Sequence, residues 1–411
     1  RVENMNFVNL KVETNDISNQ VSKSKILVGS IAAQMSNAVI SNVHVQGDIL
    51  ITPSHLPMTR INVGGLVAEG SGHLHKVSTH GHIQQSIQLY STNAADSMTG
   101  GLVGYTQGLK VDYAYQAMDI TGLSFTTIPT GNLYLGGIVA YGKILTMDRV
   151  VQAGYLMSHH ENGFIGPISL GGIIAEQTDQ KGLVSHIYND GNIDVFVKNP
   201  SHISLASYGY VNQIQSNNES LYSFKAITNS GRLRLVAQQS FSNAQLGNFN
   251  VNMAGVMRTN MINATFQGVY NERDFSGDLS LISRYAGLLD IQNTSHSVVK
   301  QAYQTGNITL NSTQGIVHQQ MRYAGAVLGS HMTFEHIRNE GNVLVNFGHA
   351  SSQSSGAVHV YGVFERISQN QQAKDIYNGG DLTVSSSFGL TNPYEVFLSG
   401  ITHQNSDTNL F

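Results

Sequence analysis

The chain has 411 residues, of which 41% are hydrophobic and only 12% charged, and its formal net charge is −4. The 22 basic residues form no stripe, so nucleic-acid binding is not expected. Cysteine is absent, which excludes disulfide scaffolds and thiolate metal sites. No run of about 18 apolar residues occurs, so insertion into a membrane is not expected either.

The first recurring element is a glycine flanked by small and aliphatic residues, as in Gly-Gly-Leu-Val at 100–103. Apolar residues alternate around it with period two, for example at Ile61, Val63 and Val67, which predicts a strand. The glycine is expected where the strand bends or passes close to a neighbouring layer. Most copies are 35 to 38 residues apart, at Gly29, Gly65, Gly101, Gly137, Gly172, Gly209, Gly255, Gly287, Gly325, Gly362 and Gly400.

The second element follows about 15–20 residues later. It consists of an aliphatic residue, three further residues, a glycine, often Asn or Asp, and then alternating aliphatics, as in Ile187, Gly191, Asn192 and Ile193. In one copy Met118 stands where the glycine is expected. Glycine and Asn/Asp supply turn chemistry, so the element predicts two short strands broken by a turn.

Each unit thus gives three strands, which cannot bury both faces alone. Stacking like strands in parallel solves this, so residues 1–411 are predicted to form one all-β domain, a parallel β-solenoid (β-helix). It would have about ten coils of roughly 37 residues with three short strands each. The rival is a propeller, but more than ten units exceeds the usual 4–8 blades. Both ends are expected to cut through a repeat, so a longer native protein or docking to other chains is expected.

The sequence Gly-Gly-Leu-Val-Gly at 100–104, with its relatives at 64–68 and 136–140, resembles the GLUG-type repeat of bacterial surface proteins. That family includes repeat regions of streptococcal IgA-protease-like proteins and of large adhesins. The resemblance covers nearly the whole chain and implies a secreted or wall-attached protein in which the repeats form a stalk or adhesive surface. The protease motif His-Glu-x-x-His is absent, and the nearest text is His-His-Glu-Asn at 159–162.

Seventeen histidines raise the question of a metal site. The densest group is His73, His75, His80 and His82, in which His73 and His75 could share one strand face. The sequence shows no carboxylate cluster beside them, so surface histidines on turns are the favoured interpretation. His159 and His160 are adjacent and would face opposite ways. Neither a metal site nor a cofactor is predicted.

Catalysis is not predicted, although β-helices also carry polysaccharide-cleaving enzymes. Two carboxylates facing one cleft would be needed for glycoside hydrolysis. An Asp or Asn does recur after the second-element glycine, at Asp48, Asn192, Asp278, Asn307, Asn342 and Asp381. Because Asn and Asp alternate at what reads as a turn, stacked turn side chains explain this better than an active site.

Four tyrosines recur near equivalent positions beside the second element, at Tyr188, Tyr270, Tyr303 and Tyr377. They predict an aromatic stack along one edge of the solenoid, with a ligand platform as the less favoured alternative.

The sequence therefore predicts a non-catalytic structural or adhesive segment of a large extracellular or cell-surface bacterial protein. Its partners would be a host or neighbouring-cell surface protein or glycan, or the rest of a longer polypeptide. A carbohydrate-active or polysaccharide-binding β-helix is the alternative, and a filament subunit stacking end to end is a third. A deep groove with convergent carboxylates would favour the second of these, and an evenly Asn/Ser/Thr-covered rod the first.

Overall fold

The computed structural model is built from β-strands throughout its described part. It describes residues 1–14, 25–52, 60–87, 96–124, 131–143, 145–160, 167–178, 183–197, 202–212, 222–237, 250–261, 263–278, 282–292, 297–312, 320–329, 332–347, 356–367, 372–386 and 394–402. Within these ranges there is no helix with the length and apolar character of a membrane span.

The strands follow one another in a repeating order along the chain. They are β1 (Val2–Thr14), β2 (Lys25–Gly29), β3 (Ala32–Ile51), β4 (Arg60–Gly64), β5 (Val67–Ile87), β6 (Asp96–Gly100), β7 (Val103–Ser124), β8 (Leu133–Gly136), β9 (Val139–Lys143), β10 (Leu145–Gln152), β11 (Leu156–His160), β12 (Pro167–Gly171), β13 (Ile174–Thr178), β14 (Leu183–Asn189), β15 (Ile193–Val197), β16 (His202–Ala206), β17 (Gly209–Asn212), β18 (Tyr222–Asn229), β19 (Leu233–Ala237), β20 (Asn250–Ala254), β21 (Met257–Thr259), β22 (Ala264–Asn271), β23 (Phe275–Asp278), β24 (Ile282–Ala286), β25 (Leu289–Ile291), β26 (Ser297–Gln304), β27 (Ile308–Ser312), β28 (Gln320–Ala324), β29 (Val327–Leu328), β30 (Met332–Asn339), β31 (Val343–Phe347), β32 (Gly356–Tyr361), β33 (Ala373–Asn378), β34 (Leu382–Ser386) and β35 (Tyr394–Ser399).

These strands form two sheets, and like strands of successive coils pair in parallel, as β2 does with β4 and β4 with β6. In the described residues one sheet has eleven strands, one from each coil, and the other has 24. The predicted parallel β-solenoid is therefore confirmed, and the propeller is wrong because its blades would pair antiparallel. The coil count differs slightly from the ten expected, since eleven strands stack in the smaller sheet.

The number of strands in a coil differs from the three predicted. From β8 onward a typical coil has four, such as β8, β9, β10 and β11. The first element is two strands and not one, because the backbone bends at the Gly-Gly position, where the first strand ends and before the second begins. We call this bend the corner. In the earlier coils the three strands after the corner run together into one long strand such as β7.

Two apolar cores run side by side along the solenoid. One lies between the eleven-stranded sheet and the last strand of each coil and includes Ile61, Val63 and Ile120. The other lies between the strand after the corner and the strand that follows it, and includes Val103 and Val111. Each coil therefore folds into two double-layered arms that meet at the corner. Burying like aliphatics above one another in every coil supplies the main driving force for stacking.

The glycines at the corner are aligned from coil to coil. Gly64 pairs with Gly100, and Gly100 with Gly136. The next residue is equally constrained, because a Cβ on Gly65 would overlap the carbonyl oxygen of Gly101. Both predicted roles of the recurring glycine, a bend and a close approach between layers, are confirmed.

Two of the recurring glycines do not occupy this position. Gly29 pairs with Gly64 rather than with Gly65, so Ser30 stands at the second corner position of that coil. Gly209 lies two residues beyond the corner and has a positive φ of 126°, while Ser207 takes the corner position and donates a hydrogen bond to the Gly255 carbonyl oxygen at 2.5 Å. Serine is small enough to replace glycine at the corner, so the glycine found in the sequence of these two coils lies one or two residues away from the second corner position.

A column of buried amide side chains faces the corner, and we call it the amide column. Asn229 donates from Nδ2 to Asn271 Oδ1 at 2.6 Å, and Asn271 donates to Gln304 Oε1 at 2.9 Å. Several members also bind the backbone carbonyl two residues ahead, as Asn339 does with Gly341 at 2.9 Å. One residue from each of the last eight coils contributes: Gln116, Gln152, Asn189, Asn229, Asn271, Gln304, Asn339 and Asn378.

The strand before the amide column is kinked at one position in every coil. The residue there has a left-handed backbone with φ of 51–68°, although most of these residues are not glycine. They are Asn4, Asn42, Lys76, Tyr113, Arg149, His186, Ala226, Gln301, His336 and Asp375, with Gly268 in the remaining coil. The left-handed region costs about 1–2 kcal/mol for an ordinary L-residue, so the kink is maintained by the stacking on either side.

The Asp/Asn turn positions of the second element form a ladder, as predicted. Asn342 N donates to Asn307 Oδ1 at 3.0 Å, and Asp381 N to Asn342 Oδ1 at 2.8 Å. Asp278 is not a member, because its backbone pairs with Asn311. Asp274 holds the position instead and accepts from Asn307 N at 2.7 Å. These side chains bind backbone amides of the next coil, which explains why Asn and Asp alternate there.

Candidate functional site

The inner side of the corner brings two rows of side chains together. Ser169 Oγ donates to Glu176 Oε2 at 3.3 Å, and the rings of Tyr134 and Tyr141 meet edge to face at 5.2 Å. In each case the partners lie on opposite sides of the Gly-Gly bend and on the faces turned away from the two cores. The two arms therefore enclose a groove along the solenoid, which we call the corner groove.

The corner groove is defined by two aligned rows. Its first row lies on the eleven-stranded sheet and comprises Asn62, Met98, Tyr134, Ser169, Ser204, Asn252, Arg284 and Arg322. Its second row follows the corner and comprises Glu69, Tyr105, Tyr141, Glu176, Tyr210, Arg258 and Asp290.

One stretch of the groove is aromatic. Tyr105 and Tyr141 stack with their centroids 5.7 Å apart and their planes 11° from parallel. Tyr134 packs against Tyr141, and the guanidinium of Arg60 lies 4.4 Å from the centre of the Tyr105 ring. Met98 completes this cluster. At its end an open pocket of about 310 Å³ is lined by residues including Glu69, Tyr105 and Gln107. Tyr105 and Tyr134 are only 5% and 8% exposed, so the pocket, and not the ring faces, is the part of this stretch that is open to a ligand.

Glu176 follows the aromatic stretch. It lies between Tyr141 and Tyr210 in the neighbouring coils. Burial raises the pKa of Glu176 to about 7, although the hydrogen bond from Ser169 and the charge of Arg258 act in the opposite direction. A carboxyl group that titrates near neutral pH can donate or accept a proton.

Further along, arginines and carboxylates fill the groove. Asp290 is fully buried, and it is paired with Arg258 at 3.2 Å and Arg284 at 2.7 Å. Burial alone would raise the pKa of Asp290, but the charges of Arg284 and Arg258 and their hydrogen bonds lower it. Arg322 is ion-paired with Glu365 in the same region. The network joins four neighbouring coils and fixes the shape of the groove.

Glu176 and Asp290 are too far apart to form a hydrolytic pair. Glu176 and Asp290 lie three coils apart, which corresponds to about 14 Å. Glycoside hydrolysis needs two carboxyl groups within about 5–9.5 Å, and Asp290 is enclosed by its arginines. The arginines are paired with Asp290 and the tyrosines pack on one another, so the part of the groove that can receive a ligand is the open pocket beside Tyr105.

The four clustered histidines lie on the outer side of the bend, opposite the groove. His73 Nε2 is 2.5 Å and His75 Nδ1 is 3.1 Å from Asp112 Oδ1, a residue of the next coil. The two histidines do share one face, and the single carboxylate beside them, Asp112, was not apparent from the sequence because it is distant along the chain. His80 is 5.0 Å from His44, ring centre to ring centre.

His82 stands apart from this pair. Its Nδ1 lies 3.0 Å from Asp48 and its Nε2 lies 3.8 Å from Asp119, so it bridges the turn ladder. His159 packs on Phe196 with ring centres 5.9 Å apart. The side chain of His160 lies outside the described residues. Neither His82 nor His159 contacts His73 or His75.

The four predicted tyrosines do share one column on the outer surface, with Thr228 between the first two and Arg338 between the last two. Tyr270 and Tyr303 stack at 5.3 Å and 3°. Arg338 lies 4.7 Å from the ring centre of Tyr377. The column is confirmed, although direct ring stacking joins only Tyr270 and Tyr303 among the four.

Sequence reasoning missed the corner groove and the amide column. The groove had a signal, since the residue four after the second corner glycine is Glu69, Tyr105, Tyr141 and Glu176 in successive coils. The amide column had one too, since an Asn or Gln stands two residues before the second-element glycine in most units. Both were interpreted as polar surface because the sequence does not show which side chains the bend at the glycine brings face to face.

No protein-family profile, no curated protein and no solved structure matches this chain.

Proposed function

We propose that this chain is a stiff, non-catalytic segment of a secreted or cell-surface bacterial protein, and that it presents a ligand-contacting surface. The observation that carries the proposal is continuous stacking: eleven parallel strands of one sheet pair without a break through the described coils. The amide column adds buried hydrogen bonds between coils along most of this length. A structure with so many identical layers resists bending, as a spacer must.

The placement at the cell surface rests on the likeness of the Gly-Gly-Leu-Val-Gly motif to GLUG-type repeats. The open reading frame that encodes the chain tests it. A secretion signal together with a wall anchor or further repeats supports the proposal. A frame that ends in a cytoplasmic enzyme domain and has no export signal contradicts it.

A second candidate function is polysaccharide binding in the corner groove. The open pocket of about 310 Å³ beside the tyrosine cluster favours it, because Tyr105 lines this pocket together with Glu69 and Gln107. The Glu69 carboxylate and the Gln107 amide can hydrogen-bond sugar hydroxyl groups there. Tyr141 stacks on Tyr105 and so supports the ring that lines the pocket.

Affinity electrophoresis through gels containing neutral or acidic polysaccharides tests this candidate. The wild-type chain is expected to be retarded by at least one polymer, and Tyr105→Ser and Tyr141→Ser are expected to abolish the retardation. Tyr303→Ser is the matched control, because Tyr303 is also stacked on a tyrosine but lies on the outer surface. Equal retardation of all variants would contradict a binding role for the groove.

A further inference from the structure

The outer surface carries a cluster of metal-ligating groups that the corner groove does not use. His73 and His75 lie in β5, and Asp112 lies in β7 directly beside His75 in the parallel ladder. One possible ligand atom from each residue lies within 4.8 Å of the others. Among the described residues this is the one group of three or more His, Asp or Glu side chains with that geometry.

The strands hold these three side chains in place. His73 and His75 are two residues apart in an extended strand and project from the same face, with ring centres 5.6 Å apart. Asp112 is only 13% exposed and lies against both rings. Because both strands belong to a long uninterrupted ladder, the backbone positions of the three residues are fixed relative to one another.

A second feature points to a ligand. His75 Nδ1 is buried and makes no hydrogen bond of acceptable geometry, although it lies 3.1 Å from Asp112 Oδ1. Two atoms at this separation that do not hydrogen-bond are close to the spacing of two ligands on one zinc ion, about 3.3–3.5 Å for metal–ligand bonds of about 2.0–2.1 Å. The nitrogen's lone pair is available to a metal in the neutral imidazole tautomer that places the proton on Nε2.

The electrostatics of the cluster suit a cation. Asp112 supplies a carboxylate whose Oδ1 lies against both imidazole rings, 2.5 Å from His73 Nε2 and 3.1 Å from His75 Nδ1. The opposing charge is Lys110, whose Nζ lies 4.0 Å from Asp112 Oδ2. Its side chain is 55% exposed and flexible, so it can turn into solvent when a metal ion binds.

We propose that His73, His75 and Asp112 bind a divalent transition-metal ion, with Zn²⁺ as the best fit. Two imidazoles and one carboxylate are a ligand set of zinc sites that keep a fourth position open for water or an external ligand. The bound ion joins two adjacent coils, so it stabilises their stacking. The open position faces solvent, which allows a side chain from a partner molecule to complete the coordination.

Isothermal titration of the EDTA-dialysed chain with Zn²⁺ tests the proposal. The wild type is expected to bind one ion at this site, and His73→Gln, His75→Gln and Asp112→Asn are each expected to weaken that binding at least tenfold. His186→Gln is the matched control, because His186 is an exposed histidine paired with a single carboxylate, Asp148, at 2.8 Å. It is expected to leave the affinity unchanged.

Circular dichroism of each variant shows whether the fold is retained, and Co²⁺ gives an independent readout. The visible spectrum of the Co²⁺ complex is expected to show tetrahedral coordination in the wild type and in His186→Gln, and to be lost in His75→Gln. The proposal is overturned if the folded wild type binds no Zn²⁺, or if the three ligand variants bind it as tightly as the wild type.

Discussion

The Asn339 side chain packs directly against Gly325 and leaves no room for a side chain there: a Cβ added to Gly325 would lie 2.6 Å from Asn339 Nδ2. The same relationship joins Gly255 to Asn271 and Gly362 to Asn378. The glycine of the first element is therefore required by the amide of the second, as well as by the neighbouring coil. The glycine of the first element and the Asn or Gln of the second element therefore recur together because they contact each other in the folded coil.

Substituting Gly325 by alanine should destabilise the fold. The new methyl group would overlap the Gly362 carbonyl oxygen and crowd Asn339, and overpacking of this kind costs about 1–3 kcal/mol. Gly108→Ala is the matched control, because nothing lies within 4 Å of a Cβ at that strand position. Urea unfolding should show a clear loss of stability for Gly325→Ala alone, and equal values for the two variants would refute the contact.

Substitutions of Asn339 in the amide column should show that its hydrogen bonds, and not only its size, stabilise the fold. Its Nδ2 donates to Gly341 O at 2.9 Å and to Asn378 Oδ1 at 2.8 Å. Asn339→Leu leaves these buried acceptors unsatisfied, at a cost of about 2–4 kcal/mol. Asn339→Gln should be tolerated far better, because Gln152 and Gln304 occupy the same column. Thermal unfolding monitored by circular dichroism checks the order wild type, Gln, Leu.

Ala226 should become more stable as glycine. Its φ is 51°, a region that costs an alanine about 1 kcal/mol and a glycine almost nothing. Ala226→Gly is therefore expected to stabilise the chain by up to about 1 kcal/mol. Lys225→Gly, one residue earlier in the same strand, is the control and should destabilise it by about 0.5–1 kcal/mol. If both variants lose stability alike, the left-handed kink is not strained.

Glu176 should make stability depend on pH. Its pKa is raised from 4.5 to about 7 in the folded chain, so between these values only the unfolded chain ionises. Stability due to this group is present below pH 4.5 and is lost as the pH rises to about 7. Glu176→Gln removes this loss.

The variant is thus expected to match the wild type near pH 4. Near pH 8 it should be more stable by about 3 kcal/mol, since each of the roughly 2.5 pKa units corresponds to about 1.4 kcal/mol. Denaturant unfolding at both pH values measures this difference. The same difference at pH 4 and pH 8 would show that ionisation of Glu176 is not its cause.

The solenoid could be predicted because its period is written in the sequence at Gly65, Gly101 and Gly137, and stacked layers are the simplest way to bury repeated short strands. The exact register could not be predicted, because Ser30 and Ser207 take the corner position that glycine takes in most other coils. Local patterns identify positions that must be small, but they do not identify which small residue meets which neighbour.

The sites depended on contacts between distant residues. His75 and Asp112 are 37 residues apart, and Tyr134 faces Tyr141 only because the chain bends between them. Residues roughly one coil apart can come together, but which of them meet depends on the register in which the coils pair, and the sequence did not show that register. The tyrosine column could be predicted since Tyr270 and Tyr303 each precede the same turn.

The central claim is that the coils stack as regular layers along one stiff axis. The chain has no cysteine, so spin labels can be placed through Tyr115→Cys and Tyr377→Cys, two exposed positions in one column seven coils apart. Double electron–electron resonance should give a narrow distance distribution centred at about 34 Å, seven steps of about 4.8 Å. A broad distribution, or a centre beyond about 50 Å, would contradict the stacked solenoid.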